Sequence, residues 1–430
     1  MLYQNNLRDM SKDVLRLENG AMHVDFVKTS QGLLRVGGMP DVSKCMARFG
    51  LQEETVIVPD WSVSQAGDNH TGEEFVQWHA QVYGSPPKKY IGTGKNLSFL
   101  YQNLDAIFSY YFDRKRITIV RKDWLNRWVK KKPVETRYEK ESLKVLFKHS
   151  NIVVFCEGKK VYDREDFANS VNVEDLVEDV LANIPRDSHQ RDHLEITAVG
   201  SGNGFFETTS SFLIRFGSRV LWIDPCAQPA LGLAKTGIHW DDVTDVFITH
   251  NHEDHILGFP ACLKRKVDRK ERLRLITARP IYEILKKQFS PLFPEMDKWI
   301  DFMEVAPGRI FEMDGINILT RWNHHFLPYG TLGIKITAGG KTWGLSGDTK
   351  FDTGINKILK RQELTEAWFG DCDLVFHEVD FDNSEGVHTY WEEVDKIQRA
   401  IPGEIFVYHT RSKDSPPIPI AQEGKTYHLK

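Results

Sequence analysis

Residues 249–258 read THNHEDHILG, and six consecutive positions hold His250, His252, Asp254 and His255. Three imidazoles and a carboxylate so close together crowd and partly repel one another unless something shares them. A borderline-soft dication such as Zn²⁺ takes imidazole nitrogen and carboxylate oxygen at about 2.0–2.2 Å, and neighbouring loop residues reach one such ion without strain. A lone histidine is ordinarily a surface or satisfied core residue. Four such groups in the pattern HxHxDH point to metal coordination instead.

Rigid elements must aim these side chains. Asp245–Thr249 reads as a buried strand, after which the chain turns into a loop and then a helix starting around Gly258. The same grammar surrounds it: EITAVG, SSFLIRF, RVLWID, DVFIT and RLRLITA are short apolar runs, followed by the helical IYEILKKQF. Hairpins are expected at FEMDGINILT, turning on Asp314-Gly315, and at GIKITAGGKTWGLSG, turning on Ala338-Gly339-Gly340. DLVFH and EIFVYH close the series with the helical TYWEEVDKIQRA between them. Strands thus precede every polar cluster. Upstream, 173–202 passes from an amphipathic helical pattern through a Pro-containing polar stretch into a strand. The domain boundary is placed near 187–193, giving a mixed α/β domain over 1–190 and a second domain over 191–430.

A chain of 430 residues exceeds one typical core, which agrees with two domains. Its 41% hydrophobic and 27% charged residues and formal charge of −4 are those of an ordinary globular protein, so bulk charge names no partner. No run of about 18 apolar residues suits a spanning helix, and residues 1–20 lack the apolar core of a secretory signal; a cytoplasmic location is expected. Cys45, Cys156, Cys226, Cys262 and Cys372 are scattered and form no CxxC, which fits reduced, packed thiols.

THNHEDH resembles the THxHxDH signature of the metallo-β-lactamase superfamily, through Thr249, His250, His252, Asp254 and His255. The resemblance runs as an ordered series over roughly 195–412. VLWIDPC (220–226) is similar to the first motif, whose aspartate, here Asp224, supports the ligand loop. WNHHFLPYGTLGIKI (322–336) is similar to the third, with His325 preferred to His324; LSGDT (345–349) to the fourth, with Asp348; and VYH (407–409) to the fifth, with His409. The resemblance implies an αββα sandwich in the C-terminal half. It implies that His250, His252 and His325 hold one divalent metal, that Asp254, His255 and His409 hold another, and that Asp348 touches both. Two such ions would hold a bridging hydroxide, the nucleophile of a metal-dependent hydrolase. A carboxylate at position 252, as in flavodiiron proteins, would favour iron. The nitrogen-rich set suits zinc, with manganese and iron as alternatives.

LVFHEVDF (374–381) and GVHTYWEEV (386–394) are similar to two motifs of the ribonuclease Z branch, in which Glu378 and His388 would act beside the metals. A histidine oriented by a carboxylate can protonate a leaving alkoxide, as phosphodiester cleavage requires. Transfer RNA-processing members carry a long arm between the third-motif histidine and the bridging aspartate. Here His325 and Asp348 are 23 positions apart, filled by a hairpin, as in cyclic phosphodiesterases of that branch. The expected activity is therefore hydrolysis of a small or cyclic nucleotide phosphodiester, with Asp254 orienting the nucleophile and His388, supported by Glu378, helping the leaving group depart. The alternatives are a single-strand nuclease of the ribonuclease Z type and a non-catalytic metal-dependent sensor.

The remaining motifs carry less. The glycine-rich VGSGNGFFETTSSFLI (199–214) lacks dinucleotide-binding spacing, and GTGKN (92–96) fails as a P-loop. DRKRITIVRKDWLNRWVKKK (113–132) interleaves basic residues with Trp124 and Trp128. It could stack single strands, but an amphipathic element with inward tryptophans is the commoner outcome. KRKVDRKERLR (264–274) could attract an anion but reads better as a solvated helix face. PDWSVSQAGDNHTGEEF (59–75) could cover something; His70 and His79 are assigned no metal. The first domain could regulate, dimerise or gate the enzyme, and a homodimer is expected.

Overall fold

The computed structural model describes residues 7–19, 22–39, 42, 46, 49–59, 87–114, 126, 129–148, 151–167, 179–187, 189–204, 208–325, 330–351, 353–410 and 416–429. Cys45, the 59–75 segment beyond Pro59, His70, His79, Trp124 and Trp128 lie outside the described residues. The chain forms two compact units. One comprises Met1–Leu176, Gly204–Glu207 and Lys286–Pro294; the other Val177–Asn203, Thr208–Leu285 and Glu295–Lys430.

The first unit contains a mixed seven-stranded sheet running in chain order from Leu7–Asp9 to Val129–Val134, and a four-stranded antiparallel sheet built from Arg137–Lys140 through Lys159–Asp163. Val14, Val27, Leu34, Ile57 and Ile91 of the first sheet share a core with Val145, Ile152 and Val154 of the second. Within it, Arg16 donates to both carboxylate oxygens of Asp25, and the Tyr162 hydroxyl donates to the same carboxylate. A buried charge without such partners would cost several kcal/mol.

The second unit is a sandwich. Its seven-stranded sheet has the spatial order Ile300–Glu304, Leu273–Thr277, Asp245–Phe247, Arg219–Ile223, Ser211–Gly217, Arg191–Gly200, Thr426–Leu429. The six-stranded sheet runs Ile310–Met313, Ile316–Trp322, Leu332–Ala338, Lys341–Leu345, Leu374–Glu378, Glu404–Tyr408. Phe212 of the first sheet meets Trp343, Phe376 and Tyr408 of the second, so these two faces enclose one core. The opposite faces are apolar as well. Val375, Ile405 and Val407 pack against Val394 and Ile397 of the helix Trp391–Ala400, while the helices Pro229–Thr236 and Phe259–Asp268 contact the seven-stranded sheet. Burial on both faces explains why these strands read as unbroken apolar runs. Helices outside and two sheets inside constitute the expected αββα sandwich.

Two elements differ from the sequence reading. The strand starting at Asp245 ends at Phe247 rather than Thr249, because the Thr249 N–H is taken by the Asp224 carboxylate instead of a neighbouring strand. The expected loop after it contains one helical turn, Glu253–Ile256, with the His255 and Ile256 N–H groups donating to the His252 carbonyl. Both hairpins turn through left-handed residues, Asp314-Gly315 and Gly339-Gly340, as two-residue primed turns require. The basic run 264–274 is tied up locally: Arg265 and Arg269 pair with Asp241, and Lys266 with Glu271.

Cys156, Cys226, Cys262 and Cys372 are free and buried. Burial pushes the Cys226 and Cys372 thiols up to about 12 and raises that of Cys262 further. Thiolates are the reactive species. Native protein exposed to iodoacetamide at pH 8 should therefore leave these three unlabelled by mass spectrometry, while unfolded protein labels fully.

Candidate functional site

The candidate residues gather at one edge of the sandwich because every strand delivering them ends there. Arg219–Ile223 and Asp245–Phe247 are parallel, as are Lys341–Leu345, Leu374–Glu378 and Glu404–Tyr408. Ile316–Trp322 reaches the same edge through two antiparallel pairings. Asp224, the His250–His255 turn, His325, Asp348, Glu378 and His409 all sit at or just beyond these C-terminal ends. Asp224 and His409 adopt left-handed backbone, φ 47° and 64°. Such conformations are unfavourable for residues with a side chain and concentrate at functional sites. Before Asp348, Gly347 has φ 61°, and a Cβ there would collide with the Leu332 carbonyl oxygen.

The side chains form two overlapping groups. His250 Nε2 and His325 Nε2 lie 3.1 and 3.3 Å from His252 Nδ1, and each is 3.8 Å from Asp348 Oδ2. His255 Nε2 and His409 Nε2 lie 3.4 and 3.6 Å from the same Asp348 oxygen, and each is 3.9 Å from an oxygen of Asp254. Ligands about 2.1 Å from a tetrahedral ion stand about 3.4 Å apart, so these separations suit one divalent ion in each group with Asp348 common to both. His325 joins the cluster; His324 belongs to no converging group among the described residues.

Outer hydrogen bonds fix which nitrogen of each ring faces inward. The Thr249 hydroxyl donates to Asp224, so its oxygen accepts from His250 Nδ1–H at 2.9 Å. His255 Nδ1–H donates to Asp224 Oδ2 at 2.8 Å. Ser210 donates to the Gly202 carbonyl and accepts from His409 Nδ1–H at 3.1 Å. Each Nε2 is thereby left as a lone pair directed at the cluster. Burial holds His250 well below its ordinary value and lowers His325 to about 3 and His409 to about 4, keeping these rings neutral, as ligation requires. At His255 burial acts in the same direction, but Asp348, Asp254 and Asp224 outweigh it and raise that ring's pKa well above its ordinary value, a surplus of negative charge that also suits a bound cation. His255 Nε2 and Asp348 Oδ1 are buried without a hydrogen-bond partner among the described residues. Inward lone pairs, negative surroundings and orphaned donor atoms all fit divalent metal ions. Replacing Asp224 by Asn should weaken metal affinity by about 10–100-fold, with turnover restored at saturating metal, as metal-dependent activity titrations would measure.

Beside these groups, His388 Nδ1 lies 3.0 Å from Glu378 Oε2, and its ring is 5.2 Å from that of His325 and 4.7 Å from that of His409. Glu378 is fully buried, whereas the His388 side chain is 24% exposed and so within reach of a substrate. The Thr389 N–H donates to the other Glu378 oxygen and holds the carboxylate in place. Ser210 and Thr389 were not singled out from sequence. A serine or threonine holding a ring or carboxylate from behind follows no spacing rule, although Ser210 does fall in the glycine-rich stretch 199–214.

Among known proteins, a protein-family model described as Anti-Pycsar protein Apyc1 matches residues 194–427. The chain is 23% identical over 256 residues to the cGMP-dependent 3′,5′-cGMP phosphodiesterase A of Dictyostelium discoideum, covering 54% of this chain and 28% of that protein. It is 27% identical over 144 residues to the ribonuclease Z of Treponema denticola, covering 32% of this chain and 46% of that enzyme. The chain thus spans less than half the length of either relative. Among solved structures, it is similar to the metallo-beta-lactamase fold protein YhfI from Bacillus subtilis, with TM-score 0.46 and 18% identity, over 56% of this chain and 100% of that one.

Proposed function

We propose, for a chain that belongs to the Anti-Pycsar protein Apyc1 family, that the site hydrolyses a cyclic nucleotide or another small phosphodiester. The observation that carries this reading is the pairing of His388 with buried Glu378 at the rim of the two ligand groups. His250, His252 and His325 would hold one ion, Asp254, His255 and His409 the other, and Asp348 both. The chemistry of the donors favours zinc. When bound, such ions neutralise charge on a phosphoryl oxygen and lower the pKa of water to near neutrality. Asp254 orients the attacking water by accepting its hydrogen bond. Glu378 keeps His388 Nδ1–H oriented, so that Nε2 presents a proton to the departing oxygen.

The span between His325 and Asp348 bears on substrate size. The hairpin Leu332–Ala338 and Lys341–Leu345 occupies it, with Gly347 and Asn323 packed at its base. A short connection here supports a small substrate over a folded RNA. We propose as well a homodimer, with a first unit that regulates, dimerises or gates the enzyme. Among the described residues no helix is long and apolar enough to cross a membrane. The test is a hydrolysis screen over 3′,5′-cyclic nucleotides, 2′,3′-cyclic nucleotides, linear dinucleotides and single-stranded RNA, with His252→Ala as control. Turnover of a cyclic substrate, lost in the control, supports the reading. Cleavage confined to single-stranded RNA would favour a nuclease, and no turnover by metal-loaded protein would contradict hydrolysis.

A further inference from the structure

We infer that the second unit carries another divalent-metal site, formed by His193, Glu195 and His428 at the opposite end of the seven-stranded sheet. His193 and Glu195 project from one face of Arg191–Gly200, two residues apart, and Glu195 pairs in register with His428 of the last strand. The three side chains therefore share a face. His193 Nε2 and His428 Nδ1 each lie 3.3 Å from Glu195 Oε1 and 3.2 Å from one another. This nearly equilateral triangle has the edge expected for three ligands about 2.0–2.1 Å from one ion.

The surroundings prepare each ligand. His193 Nδ1 lies 2.7 Å from Asp192 Oδ1, so a proton there donates to the carboxylate and leaves Nε2 as a lone pair, the carboxylate–histidine arrangement common behind metal ligands. Arg191 and Arg215 bind the other oxygen of Glu195, at 3.1 and 2.8 Å, and hold Oε1 toward the two rings. Glu195 is nearly buried, while His428 is about half exposed, so the fourth position opens to solvent. Two imidazoles and one carboxylate suit zinc or a neighbouring transition ion better than calcium or magnesium.

This site is separate from the candidate active site. Gly200, where the strand meets that site, is five residues from Glu195, about 16 Å along an extended chain. The family match over 194–427 stops one residue short of both histidines. Its effect would be a cross-link between the edge strand Thr426–Leu429 and its neighbour Arg191–Gly200 among the described residues, favouring the folded state by mass action.

The test is titration of chelator-stripped full-length protein with Zn²⁺ alone, read by bound metal after gel filtration and by thermal unfolding. A His252→Ala/Asp348→Ala background, impaired at the active site, should still take up one equivalent per chain. Adding His428→Ala or His193→Ala should remove it, together with the zinc-induced rise in Tm. In otherwise wild-type protein, His428→Gln should lose one equivalent and leave hydrolysis unchanged. Equal zinc content with and without these substitutions would overturn the inference, as would loss of all zinc in the His252→Ala/Asp348→Ala background.

Discussion

Asp348→Ala is expected to abolish hydrolysis in practical terms, with kcat falling by more than about 10³-fold. Removing one preorganised group that stabilises developing charge already costs about 10²–10³. Asp348 offers an oxygen lying 3.4–3.8 Å from ring nitrogens of both groups, so its loss damages each at once. Metal content after dialysis should fall in parallel. Its carboxylate is held well below its ordinary value, since burial, which opposes ionisation, is outweighed by His409, His255 and His250. Removing the carboxylate leaves both ligand groups without the oxygen they share. A variant that kept both metal content and turnover would remove Asp348 from the site.

His388→Ala is expected to behave differently, lowering kcat by about 10²–10⁴-fold while metal content stays unchanged. The distinguishing readout is the leaving group. An activated aryl phosphodiester departs without a proton and should lose little rate, whereas a nucleotide substrate should lose the full amount. Glu378→Gln should fall between wild type and His388→Ala, because glutamine still accepts the Thr389 N–H but no longer balances an imidazolium 3.0 Å away. An equal loss on both substrates would assign His388 a packing role.

These two predictions rest on residues that were legible in the sequence, for a physical reason. Groups able to hold a metal ion are of few chemical types, and loops after strands impose short spacings, so His250, His252, Asp254 and His255 stand out as a written pattern. The strands were legible where both faces are buried, as in LVFHE and EIFVY, because apolar runs then follow directly. Ser210 and the Thr249 hydroxyl were harder to read, since their importance depends on which nitrogen of a neighbouring ring they face. The early end of the strand at Phe247 was hidden for a similar reason: Asp224, distant in sequence, takes the Thr249 N–H. His193, Glu195 and His428 form a triangle only through strand register, with 235 positions between the histidines.

Whether two ions share this site is decided by anomalous diffraction from crystals of metal-loaded protein, collected above and below the zinc edge. Two peaks are expected at the strand-end cluster, one ligated by His250, His252 and His325 and the other by Asp254, His255 and His409, with Asp348 in contact with both. A loaded crystal with no peak there, or with His409 and Asp348 turned away from the peaks, would contradict this arrangement.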